Sequence, residues 1–219
     1  MSRVINSASV FLLDSLVYAG MSCAGALRTG AARFRRSTAG TFLQEFVAQP
    51  RTVGAIWPSS SNLARHMAKC TSTSGAGLVV ELGAGTGVVT HALLDRGIPA
   101  SRLRVVECSA VFARHLRQRY PRVNVIEGDA AVLWSLLQEN ALVTTIVSSL
   151  PLRSLSNETV AAIVEQWRKV LPLGGRVVQF TYALTGKTTE PLHGFIECES
   201  RIIWGNLPPA RVTVFIRTA

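Results

Sequence analysis

Leu78-Val79-Val80-Glu81-Leu82-Gly83-Ala84-Gly85-Thr86-Gly87-Val88-Val89-Thr90 decides how the rest of this chain is read. A short apolar, β-branched run ends in a carboxylate, passes through alternating glycines and opens an apolar helical pattern. That order predicts a buried parallel strand, a tight turn and a helix start. Glycine suits such a turn because the backbone must bend sharply and come close to a ligand with no Cβ in the way. A dinucleotide site would need G-x-G-x-x-G with a pyrophosphate over the helix N-terminus. Here the spacing is G-x-G-x-G, and Val88 occupies the sixth position. Glu81 sets a carboxylate at the mouth of the turn, which suits a cationic ligand better than a phosphate.

Downstream of this stretch the chain alternates strand and helix without an internal repeat. Strands are expected at Leu78–Leu82, Leu103–Glu107, 123–127, 143–147 and Arg176–Thr181. Between them lie helices ending near Gly97, running from an N-cap at Ser109 to Pro121, holding Val132, Leu133, Leu136 and Leu137, and carrying Val160, Ile163, Val164, Trp167, Val170 and Leu171. Two last strands, 201–204 and 212–216, flank Asn206-Leu207-Pro208-Pro209 and could pair as a hairpin. This alternation specifies a doubly wound, mostly parallel sheet whose ligand crevice lies at the C-terminal strand ends. Upstream, residues 71–77 are a small-residue linker. The serines at 59–61 can cap a helix bearing Leu63, Ala64 and Met67, and residues 41–48 carry Phe42, Leu43, Phe46 and Val47 on one helical face.

At 219 residues the chain can bury a full core, and its net charge of +10 points to an anionic partner, either nucleic acid or an acidic membrane surface. The cysteines Cys23, Cys70, Cys108 and Cys198 lie far apart and form no metal-ligand spacing with the histidines, so no metal site is expected. Residues 8–27 are mostly apolar, interrupted by Asp14, and Arg28, Arg33, Arg35 and Arg36 follow. A signal peptide would carry its positive charges first. A transmembrane span would hold Asp14 at a cost of about 2.5–3.5 kcal/mol. A helix lying in the membrane interface tolerates both features and is the favoured reading, against a helix packed on the main domain. The expected organisation is an interfacial segment at 1–40, a helical lead-in at 41–77 and a ligand-binding domain at 78–219.

Three acidic groups end successive strands. Glu107 follows Gly87 by 20 residues, where a carboxylate can accept both hydroxyls of a ribose. Asp129 follows the third strand, where it can accept from an adenine amino group. With Glu81 they surround one cleft of an otherwise basic protein. A pocket for a cation carrying a ribose and an adenine accounts for all three, and S-adenosylmethionine (SAM) is such a ligand. Gly83, Gly85, Gly87, Cys108, Ala130 and Ser148 are grouped with them around it. After the fourth strand, Ser149-Leu150-Pro151-Leu152 would line the acceptor pocket. Leu152 stands where nucleic-acid adenine methyltransferases place a base-stacking aromatic, which disfavours a nucleobase.

Phe42-Leu43-Gln44-Glu45-Phe46, Gly54-Ala55-Ile56-Trp57-Pro58-Ser59-Ser60, the glycine stretch, Ser149-Leu150-Pro151-Leu152, Val178-Gln179-Phe180-Thr181-Tyr182 and Asn206-Leu207-Pro208-Pro209-Ala210 together resemble the bacterial phospholipid N-methyltransferases. These are class I SAM-dependent enzymes related to the ribosomal RNA adenine dimethylases. The resemblance runs from about residue 41 to the C-terminus. It implies stepwise N-methylation of phosphatidylethanolamine towards phosphatidylcholine by a protein peripheral to the cytoplasmic face of the cell membrane. The same motifs fit an ornithine-lipid N-methyltransferase, and the positive charge also fits an rRNA or tRNA adenine N-methyltransferase. Tyr182 could accept or relay the amine proton, or simply pack at its strand end. Arg153 and Arg211 suit a lipid phosphate, or are surface arginines.

Overall fold

The structure, a computed structural model, describes residues 60–137, 141–184 and 192–219. The interfacial segment expected at 1–40, the helix expected at 41–48 and the loop expected at 54–59 lie outside the described residues. The described chain forms seven strands, β1 Leu78–Leu82, β2 Leu103–Glu107, β3 Asn124–Glu127, β4 Val143–Ser148, β5 Arg176–Thr181, β6 Phe195–Ile203 and β7 Ala210–Arg217. They make one sheet in the order β3-β2-β1-β4-β5-β7-β6. The first five run parallel, and β7 enters antiparallel between β5 and β6. This is the doubly wound class read from the sequence. The strand order reverses between β1 and β4, which opens the crevice at their C-terminal ends.

Apolar residues alternate between the two sheet faces and feed separate layers. On one face Val79, Val105, Val147, Val178, Val212 and Val214 pack under α1 Ser61–Lys69, α2 Val88–Asp95 and α3 Ala110–Arg119. On the other, Val80, Leu82, Val106, Ile146, Val177 and Phe215 meet α4 Leu133–Leu136 and α5 Asn157–Val170. Serine hydroxyls start three of these helices: Ser60 accepts from Leu63 N–H, Ser109 from Phe112 N–H and Ser156 from Thr159 N–H. Each fills one of the amide positions that a helix start leaves unpaired. Trp167 of α5 is fully buried and meets Phe195 edge-on, with ring centroids 6.4 Å apart.

The hairpin β6–β7 forms as expected, but β6 begins at Phe195 rather than at 201. Glu197, Cys198, Glu199 and Ser200 carry no apolar alternation, so the pattern rule has nothing to detect. They extend because they form the sheet's outer edge, where their side chains are exposed and a bulge falls between Glu197 and Glu199. Charges and bulges on an edge strand also discourage pairing with a second chain. Among the described residues no helix is long and apolar enough to cross a membrane.

Trp167→Ala removes the largest fully buried side chain of the α5 layer. It is expected to cost about 3–5 kcal/mol of stability, read as a lower urea midpoint at unchanged slope. A midpoint within experimental error of the wild type would contradict this packing.

Candidate active site

The site grows from the C-terminal ends of β1, β2 and β4. After β1 the chain turns through Gly83, Gly85 and Gly87, all at positive φ. Gly85 lies at φ +54°, and a Cβ built on it meets nothing within 4 Å, so the turn faces open space at this residue. The other two glycines answer to the protein itself. A Cβ on Gly83 would come within 2.9 Å of Leu150 Cδ2, and one on Gly87 within 2.8 Å of Leu116 and 2.9 Å of Tyr120. Close ligand approach therefore fits Gly85, while Gly83 makes room for the acceptor loop and Gly87 for α3. The Tyr120 hydroxyl also donates to Gly87 O at 3.0 Å.

Glu107 holds the turn. Its Oε2 accepts from Gly85 N–H at 2.9 Å and its Oε1 from Ser109 N–H at 2.9 Å. The Cys108 thiol points to the same carboxylate at 3.7 Å. Burial and the neighbouring Glu107 charge push that thiol up to about 12, so it stays protonated. Glu107 is only 3% exposed, and through these hydrogen bonds the carboxylate expected to receive a ribose already organises the backbone around it. Oε1 is taken by Ser109 N–H and the Cys108 thiol, whereas Oε2, with Gly85 N–H alone, retains a second lone pair for a ligand. Asp129 has a comparable double duty: its Oδ1 accepts from Ala131 N–H at 2.9 Å and caps the turn Ala130–Val132, in which Ala130 is buried.

Glu81 differs from its expected setting. It is fully buried beneath the turn rather than open at its mouth. Its Oε2 accepts from Thr90 Oγ1 at 2.7 Å, while Oε1 has no donor. Desolvation, reinforced by the Glu107 charge and opposed by the Thr90 hydrogen bonds, raises this carboxyl to about 8. It is thus largely protonated at neutral pH in the ligand-free protein, and a cation placed near it would favour ionisation. Thr90 is the partner that sequence reading missed. Its signal is a lone hydroxyl in the apolar start of α2.

The acceptor loop is tied to the same edge. Ser149 N–H donates to Leu82 O at 2.9 Å, and Leu150 and Leu152 are buried. Ser148, expected beside the cofactor, is fully buried, and its hydroxyl accepts from Leu150 N–H at 3.4 Å. It shapes the loop from below. Gln179 of β5 lies in register with Ser148 and donates from Nε2 to Leu150 O at 2.9 Å. Tyr182 stacks edge-on against Phe180 at 5.5 Å. Burial raises its phenol above the usual value, and the Asn206 side chain partly offsets this. The phenol therefore stays protonated at neutral pH and is a poor proton acceptor. Asn206 also accepts from Ser60 N–H at 3.2 Å and donates to Pro208 O at 2.6 Å, so three of the quoted motifs converge on one buried amide.

A methyltransferase-domain family model matches residues 79–175. An ornithine lipid N-methyltransferase of Singulisphaera acidiphila is 35% identical over 145 residues, spanning 64% of this chain and 76% of that protein. The chain belongs to the class I SAM-dependent methyltransferases. Its fold resembles that of the Burkholderia thailandensis 1,6-didemethyltoxoflavin-N1-methyltransferase, at TM-score 0.62 and 17% identity over 90% of this chain and 95% of that one. It likewise resembles the N-methyltransferase NodS of Bradyrhizobium japonicum, in complex with S-adenosylhomocysteine, at TM-score 0.57 and 18% identity over 71% and 86%.

SAM is the methyltransferase's cofactor, and the site suits it in two respects. The donor-free Glu81 Oε1 matches a cationic ligand, and the open ground in front of Gly85 leaves room for one. Among the described residues no group of His, Cys, Asp and Glu could hold a metal ion. Beside the acceptor loop, a groove of about 820 Å³ follows α5, with Leu152, Leu155, Val160, Val164 and Leu192 along it and Arg153 in its lining.

Because the folded protein keeps the Glu81 proton up to about 8, the native state binds more protons than the unfolded chain above 4.5, and stability falls as pH rises through that window. The loss is on the order of 4 kcal/mol and should vanish in Glu81→Gln. Urea unfolding of the ligand-free protein from pH 5 to 8 tests this. Parallel curves for wild type and variant would show that Glu81 does not titrate there.

Proposed function

We propose that this methyltransferase transfers methyl groups to the amine of a membrane lipid headgroup, with ornithine lipid as the substrate. The observation that carries the reading is the 35% identity to a protein named for that activity, over 76% of that protein's length. Phosphatidylethanolamine, the substrate first suggested by the motifs, presents the same kind of primary amine and is the second reading. The acceptor loop supports a lipid over a nucleobase: Leu150 and Leu152 give it a buried apolar wall with no ring on which a base could stack. The groove beside the loop, apolar along its leucines and valines but also lined by Arg153, Glu165, Arg168 and His193, gives room for part of a lipid, and Arg153 there suits an anionic group.

In this reading SAM lies over the glycine turn, with Glu81 Oε1 towards its charge, Gly85 at its closest backbone approach and Glu107 and Asp129 towards its ribose and adenine. When bound, SAM supplies a methyl group on a cationic sulfur that departs as a neutral thioether. The protein's part is to align a neutral amine with that methyl group. A primary amine has a pKa of roughly 10, and the Leu150–Leu152 wall lowers it by desolvation, so no strong base is needed. Tyr182, held protonated, has at most a relay role through its hydroxyl.

Membrane contact has support from the hairpin. Trp204 and Leu207 are 71% and 83% exposed on the turn between β6 and β7, and this turn lies at the acceptor end of the sheet because Thr181 pairs with Arg211. Tryptophan suits a lipid interface, and the net charge of +10 suits an anionic leaflet. This arrangement would bring the acceptor edge to the cytoplasmic surface of the membrane.

Lipid mass spectrometry of a bacterium that contains both ornithine lipid and phosphatidylethanolamine and expresses this chain tests the function. N-methylated ornithine lipid is expected. Methylated phosphatidylethanolamine alone would move the substrate, and methylated ribosomal adenine without methylated lipid would overturn the lipid reading. In flotation with anionic vesicles, Trp204→Ala/Leu207→Ala should weaken partitioning by about tenfold or more. Unchanged flotation would remove the hairpin from the membrane contact.

A further inference from the structure

Among the described residues, the buried side-chain oxygens left without a donor are Glu81 Oε1, Ser149 Oγ and Gln179 Oε1. They come from β1, from the residue after β4 and from β5, which are neighbours in the sheet. Glu81 belongs to the glycine turn, and the other two stand at the acceptor loop. Gln179 is 5% exposed, and its amide orientation is fixed by its surroundings. Its Nε2 donates to Leu150 O at 2.9 Å and to Phe180 O at 2.8 Å. Both partners are carbonyls, so that end of the amide must be the NH₂, and Oε1 is the end left over. Ser148 pairs with Gln179 in register, which sets the amide directly under the loop that begins at Ser149.

We propose that Gln179 presents its amide oxygen to the acceptor amine, sharing with the Ser149 hydroxyl the two N–H bonds of the unmethylated nitrogen. The inference rests on the amine N-methyltransferase reading and adds to it the residue that orients the nucleophile. With both N–H bonds engaged, the nitrogen lone pair is directed away from Gln179 and Ser149 towards the methyl donor. The lone pair forms the new N–C bond, the C–S bond breaks with its electron pair passing to sulfur, and the nitrogen sheds one proton to solvent before any further transfer. A monomethylated amine then has one N–H and a dimethylated amine none. The grip of these two oxygens therefore weakens with each methyl added.

Kinetics of Gln179→Met and Ser149→Ala on unmethylated and monomethylated ornithine lipid in mixed micelles test the assignment. The Ser149 hydroxyl makes no hydrogen bond in the protein, so its loss leaves the fold intact. Each variant should lose about tenfold in kcat/KM on the unmethylated amine and much less on the monomethylated one, whose single N–H still finds the remaining oxygen. SAM affinity by calorimetry should be unchanged. If Gln179 only holds the Leu150 loop through Nε2, its variant will lose the same factor on both amines, and that result overturns the proposal. So does a full-rate Ser149→Ala. A wild type that methylates no lipid amine fails earlier, at the functional reading itself.

Discussion

The two hydrogen bonds received by Glu107, from Gly85 N–H and Ser109 N–H, are the constraint on which the cofactor edge depends. One side chain at the end of β2 fixes both the glycine turn after β1 and the start of α3. Hydrogen bonds to a charged acceptor contribute about 1.5–3 kcal/mol each, and glycine meets the positive φ of the turn without a Cβ penalty. The acceptor side is fastened to the same frame, because Ser149 N–H bonds to Leu82 O and Leu150 packs where Gly83 has no side chain. The glycine turn and the loop expected to line the acceptor pocket are therefore held by adjacent strands.

This concentration of polar groups at one rim follows from the topology. Elsewhere the parallel strands are covered on both faces and filled with Val, Ile and Leu, where an unpaired polar atom is costly. At the C-terminal rim the strands stop, and buried carboxyl, hydroxyl and amide oxygens remain there without donors. A fold that keeps such atoms retains them at the expense of stability. Their place at the ends of three neighbouring strands, next to the glycine turn, connects that cost to ligand binding.

The sequence revealed the frame well because the frame is set by local pattern. β1, β2 and β5 fall at the expected residues, and Ser60 and Ser109 cap helices as their positions suggest. Strand β6 was legible only in its last residues, since an exposed edge needs no apolar alternation. The site was legible as residue types but not as contacts. Glu81 reads as an open carboxylate and is instead buried against Thr90. Gly87 reads as a ligand contact, and its lack of a side chain also clears space for Tyr120. Gln179 reads as one polar residue in a strand, because the carbonyls that orient its amide come from a different loop and from its own backbone.

Glu107, by holding the glycine turn, is proposed to organise SAM binding in this methyltransferase. Calorimetric titration of SAM into wild type and Glu107→Ala, with circular dichroism to verify the fold, tests this most directly. The variant is expected to keep its secondary structure and to lose at least about tenfold in affinity. Equal affinity in the two proteins would contradict it.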